Sequence, residues 1–167
     1  MVMPKTSYKD DEFNRLIWPI IQNEEYQKTK FYTHHGLNRY DHMVRVAYYS
    51  YKITKVLHLN YQEATKGAVL HDFFFNEEEK NKMVRLVEHP EMAYLNASKY
   101  FDLSDLEEDI IRTHMFPIGK KVPKYLESWI VDLVDDVASI YEKSFMIKVN
   151  MKLSFNLIVM LLVMFRR

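Results

Sequence analysis

The chain has 167 residues, with 23 basic and 23 acidic side chains, seven histidines and no cysteine. A net charge of zero supplies no basic field to hold a nucleic-acid backbone, which argues against a polymeric nucleic-acid partner. Without cysteine there are no disulfides, thiolate metal sites or cysteine nucleophiles, so a bound metal must rely on His, Asp or Glu.

The opening segment MVMPKTSYKDDEFNR lacks the apolar run of a secretory signal, and the sequence reading therefore places the chain in the cytoplasm. Three glycines, five prolines and no repeat fit one all-α domain with short connections. Phe13, Leu16, Ile17, Ile20 and Ile21 recur at helical spacing and predict a first helix over Asp10 to Lys28. The segment THHGLNRY breaks it at Gly36. A second helix is expected from Tyr40 to Leu57, with His42 in its first turn. Asn60 and Glu63 have the spacing of a capping box and open a third helix, which runs into His71 and Asp72. Further helices are expected over Glu78 to Val87, Pro90 to Tyr100, Ser104 to Met115 and Pro123 to Tyr141, with Pro90 and Pro123 in first turns.

The run KGAVLHDFF ends an apolar stretch in an adjacent imidazole and carboxylate, His71 and Asp72. Burying both is costly unless something compensates, and a cation compensates both. Other candidate ligands also sit at helix ends: His42, His89 directly before Pro90, and His114 at the close of LEEDIIRTHM. Asp132, Asp135 and Asp136 lie together on a late helix.

The order H, HD, D, written here as YDHMVRVA, AVLHDFF and IVDLVDDV, resembles the HD-domain metal-dependent phosphohydrolases. Arg45 and Val46 after His42, and Ala68, Val69 and Leu70 before the doublet, match the flanks common in that family. The segments HPEMA and RTHMF supply His89 and His114, the kind of extra histidines that members with two metals carry. Two departures stand out. The last motif reads Val134, Asp135, Asp136, with Asp135 favoured by register, and three phenylalanines follow the doublet.

The resemblance implies an HD-domain bundle of about seven to eight helices. Residues 38–142 would form the HD domain, residues 1–37 an N-terminal helix and loop packed on it, and residues 143–167 an apolar C-terminal helix or tail. It implies metal ligands His42, His71, Asp72, His89, His114 and Asp135, with Asp72 bridging two ions. Such a mixed nitrogen and oxygen shell suits Mn, Fe, Zn, Co or Ni better than Mg. The implied reaction is hydrolysis of a phosphoester or phosphoanhydride of a small metabolite, a nucleotide or dinucleotide, by a metal-bound hydroxide. Arg39, Lys120 and Lys121 are candidate cations for the charge that develops on phosphorus oxygens, while Arg45 reads as a structural partner of Asp41 or Asp72. Asp132, Asp136 and Glu77 to Glu79 read as solvated faces, with one of those glutamates a candidate general acid. Two other activities of this fold stay open, a di-iron oxygenase and a non-catalytic nucleotide-binding regulator. Leu153 to Phe165 is an uncharged run shorter than the roughly 20 residues that span a bilayer. It is read as a last helix on the bundle or on a second copy in a homodimer, with membrane association the minor alternative.

Overall fold

Side-chain caps set the starts of most helices in this chain. The computed structural model describes residues 8–34, 37–75 and 82–164, and within them are seven α-helices and one short antiparallel strand pair. Asp10 accepts the Phe13 N–H at 3.1 Å and opens α1 (Asp11–Ile21), which buries Phe13, Ile17, Ile20 and Ile21. The single helix expected as far as Lys28 is interrupted. The Asn23 side chain accepts from the backbone of Glu25 and Tyr26, starting α2 (Glu24–Gln27), and a 3-10 turn over Lys28–Phe31 follows. Asn serves a cap better than a helix interior because its amide competes for backbone hydrogen bonds. β1 (Thr33–His34) then pairs with β2 (Leu37–Asn38), Thr33 opposite Asn38 and His34 opposite Leu37. His35 and the break at Gly36 lie outside the described residues.

Asn38 caps α3 (Arg39–Val56) by accepting the Asp41 N–H at 2.7 Å. Asn60 caps α4 (Tyr61–Leu70) through the Glu63 N–H at 3.3 Å, but the expected box does not close there. The Asn60 N–H donates instead to Glu127 at 3.0 Å, and Glu63 accepts from the Ser104 hydroxyl at 2.6 Å. The reciprocal box forms at α6 (Asp105–Thr113), between Ser104 and Glu107.

Two further expectations change. One helix, α5 (Lys82–Ala97), carries Pro90 in its interior, because the missing N–H forfeits one backbone bond without ending the helix. The start of the helix expected from Glu78, and Glu77 to Glu79, lie outside the described residues. Pro123 precedes α7 (Leu126–Met164) rather than opening it, and α7 continues without interruption past Tyr141. The apolar run from Leu153 is therefore a backbone continuation of that helix as far as Met164, and Phe165 lies outside the described residues. At 1.5 Å per residue α7 is about 58 Å long. Among the described residues no helix is long and apolar enough to cross a membrane.

α4 lies at the middle of the bundle, packed on α1, α3 and α6, while α7 covers α3 and α6. Gly67 allows the approach of α6: a Cβ there would stand 3.0 Å from the Ile110 side chain. Buried Met43, Val46, Ala64, Ala68, Val69, Ile110 and Val131 surround this contact layer. Burial of that apolar surface is the main term holding the carriers of the candidate ligands in place.

Candidate metal centre

The six candidate ligands come from five places in the fold and meet inside it. His42 stands in the first turn of α3, His71 and Asp72 follow α4, His89 lies in α5, His114 caps the C-terminus of α6, and Asp135 points inward from α7. All six are buried, His42 and His71 completely. Ligating atoms of His42, His71 and Asp135 lie within 4.8 Å of one another, and so do those of His71, Asp72 and His114. His42 Nε2 is 2.9 Å and His71 Nε2 is 3.7 Å from Asp135 Oδ1. On the other side, His89 Nε2 and His114 Nε2 stand 3.3 and 3.6 Å from Asp72 Oδ1, and 2.9 Å from each other. Ligands bonded at about 2.1 Å to one ion sit roughly 3.0 to 3.5 Å apart, and the spacings here are close to that, so these groups could hold an ion.

The imidazoles are oriented for this role by their outer nitrogens. His71 Nδ1 lies 2.7 Å from the Ala68 carbonyl and His114 Nδ1 lies 2.8 Å from that of Ile111. A carbonyl only accepts, so both Nδ1 atoms carry the proton and both Nε2 lone pairs face the centre. His42 is held in the same sense by a carboxylate: Nδ1 is 3.0 Å from Glu142 Oε2, and Arg45 bonds the other Glu142 oxygen. Neither His71 Nε2 nor Asp135 Oδ1 completes a hydrogen bond in the protein, although both are buried. Buried imidazole nitrogens and carboxylate oxygens crowded within a few ångströms, without well-aligned hydrogen bonds among them, are what a cation site requires, so the residues present fit a metal.

The electrostatics agree. Burial opposes a charge on His42, but Asp135, Glu142 and Asp72 outweigh it and raise the imidazole to about 10. Burial likewise disfavours the Asp135 anion, yet His42 and His71 hold its carboxyl well below the usual range. His114 is raised by Asp72 against the effect of burial. The buried carboxylates attract positive charge, and a proton and a metal ion would compete for the same place.

Asp136 is exposed, while Asp132, expected on a solvated face, is buried. Burial, then repulsion from Asp136, lifts Asp132 to about 7, with the nearby Phe116 backbone acting against the rise. Arg39 is buried, with its guanidinium 3.8 Å over the Phe74 ring and bonded to the Phe74 carbonyl, so it braces the turn that carries the doublet. Lys120 is exposed on the connection after His114, and Lys121 pairs with Glu91 at 2.8 Å. Arg45 pairs with Glu142, not with Asp41 or Asp72. His58 is exposed. Phe73 and Phe74 are buried, Phe73 against Tyr26 and Phe101 and Phe74 against His89, so they fill core around the ligands. Glu142 escaped the sequence reading. Its signal was position: Asp135, Ala138 and Glu142 share one face of a helix at spacings of three and four.

The chain belongs to the HD-domain family, whose model, described as HD domain, matches residues 39–140. Members of that family are generally metal-dependent phosphohydrolases. No curated protein and no solved structure matches the chain.

Proposed function

We propose that the centre hydrolyses a phosphoester or phosphoanhydride of a small metabolite, with a nucleotide or dinucleotide as the substrate class. The observation that carries this reading is the convergence of three imidazoles, each with Nδ1 spoken for and Nε2 turned inward, on two buried carboxylates. His42, His71 and Asp135 would hold one divalent transition metal, and Asp72, His89 and His114 a second, with His71 within reach of both groups. When bound, such ions acidify water and draw negative charge from phosphoryl oxygens. Mn, Fe, Zn, Co and Ni suit these donors better than Mg.

The protein's own part is positioning and charge. Glu142 fixes the His42 tautomer, Ala68 and Ile111 fix those of His71 and His114, and the phenylalanines exclude water from the rear of the site. Arg39 acts through the doublet by holding the Phe74 carbonyl two residues beyond Asp72. Lys120 and Lys121, on the connection that leaves His114, are proposed to meet the substrate's negative charge. A neutral chain suits a small substrate gripped by such local groups rather than a charged polymer.

The test is phosphate release from a panel of mononucleotides, dinucleotides and cyclic nucleotides, with the chain loaded with each metal in turn. Turnover is expected with at least one metal, and it should vanish in His71→Ala and Asp72→Ala while helical content is retained. Metal binding with no phosphate released from any substrate would contradict the reading and leave a binding role.

A further inference from the structure

α7 has two faces with different uses. Asp132, Asp135, Ala138 and Glu142 point into the bundle, whereas Leu133, Val137, Ile140, Ile147 and Met151 are each more than half exposed. The outward residues alternate at spacings of four and three once the exposed Ser144 is included. That is the repeat of a helix built to pack along another helix, since an average of 3.5 keeps a seam in register over many turns. A groove of about 480 Å³ between α3 and α7, lined by Tyr49, Ile53, Val137, Ala138 and Tyr141, continues the same surface.

We propose that this face is closed by the α7 of a second copy of the chain, running antiparallel about a two-fold axis between Ala138 and Ser139. In that register every seam position finds a counterpart. Val137 meets the partner's Ile140, Leu133 the partner's Ser144, Ile130 the partner's Ile147, and Leu126 the partner's Met151, each contact occurring twice by symmetry. The flanks agree as well. Asp136 faces the partner's Lys143 on one edge, and Glu127, whose Oε1 already accepts the Asn60 N–H, turns its other oxygen to the partner's Lys148 on the other. A parallel pair in the same heptad register would set Lys143 against the partner's Lys148 and lose both attractions, so the charges select the antiparallel sense. An antiparallel pair also leaves the inward faces, with Asp135 and Glu142, on opposite outer sides of the helix pair, so each copy keeps a complete metal centre.

The chain has no cysteine, so introduced ones report cleanly. Sedimentation of the full chain, with and without metal, should show a dimer. Lys143→Asp should weaken it by about tenfold, and the exchange Asp136→Lys with Lys143→Asp should return it to within about threefold of the parent. Leu133→Asp, at a position 64% exposed, should give a folded monomer with unchanged helical content. Mixed Leu133→Cys and Ser144→Cys chains should form the mixed disulfide, because only the antiparallel register brings those Cα atoms within about 7 Å. A monomer throughout a hundredfold dilution series, a dimer that the charge exchange does not restore, or preferred disulfides between two copies of Leu133→Cys would each overturn the proposal. Asp136 and Lys143 are not among the candidate ligands, so the metal content of those variants separates this outcome from that of the proposed activity.

Discussion

His42 and Glu142, 100 residues apart in the chain and both fully buried, face each other across 3.0 Å between Nδ1 and Oε2. The pair joins the start of α3 to α7 and turns the other His42 nitrogen toward Asp135. Arg45 pairs with the second Glu142 oxygen, so the buried carboxylate has a partner on each side.

Glu142→Gln should therefore lower metal affinity by about 10- to 100-fold, the usual cost of losing a carboxylate behind a ligating histidine. The variant should fold. Titration with a divalent metal checks this, and an unchanged affinity would show that Glu142 only fills space.

Protons and metal compete at His42, and the sign of the pH effect follows. The metal-free imidazole is raised from 6.5 to about 10, so its ion pair with Asp135 stabilises the fold below pH 6.5 and that contribution fades as pH rises toward 10. Metal affinity should move the other way, increasing over the same window as the proton leaves. Thermal unfolding of chelated and metal-loaded samples from pH 6 to pH 10 should show the gap between them widening. A constant or narrowing gap contradicts the assignment of His42.

Much of this arrangement is legible in the residues. Asn60 and Ser104 announce helix starts, which put the doublet after α4 and His114 at the end of α6, while α3 starts at its Asn38 cap rather than at Tyr40 and still holds His42 in its first turn. The interruptions are less visible. Asn23 stops the first helix because tertiary packing rewards its cap, whereas Pro90 is absorbed by α5 with one lost bond, and local propensity does not tell the two cases apart. Glu142 and Asp132 were missed for a different reason. Both are acids on a helix with many apolar outward positions, and only the packing of α7 on α3 and α6 decides which of its faces is inside.

Gly67 couples the core to the centre. A larger side chain there meets Ile110, and α6 carries His114 to within a 4.8 Å ring-centroid distance of His71. Gly67→Val should destabilise the fold by about 1 to 3 kcal/mol through overpacking. It should also weaken metal binding, although no ligand is changed. Calorimetry and metal titration of the variant give the two readouts, and full affinity in a destabilised chain would show that α6 position does not control the site.

His114 decides nuclearity. Its Nε2 stands 2.9 Å from His89 Nε2 and 3.6 Å from Asp72 Oδ1. His114→Ala should lose one ion per chain while His42, His71 and Asp135 retain the other. An unchanged ion count would remove His114 from the ligand set.

The most direct test of the whole account is elemental analysis of the purified chain after loading with Mn, Fe, Zn, Co or Ni and removal of free metal. One or two tightly held ions per chain are expected, falling to none in the double variant His71→Ala, Asp72→Ala. A folded parent that retains no ion from any of the five would contradict the claim that these buried imidazoles and carboxylates form a metal centre.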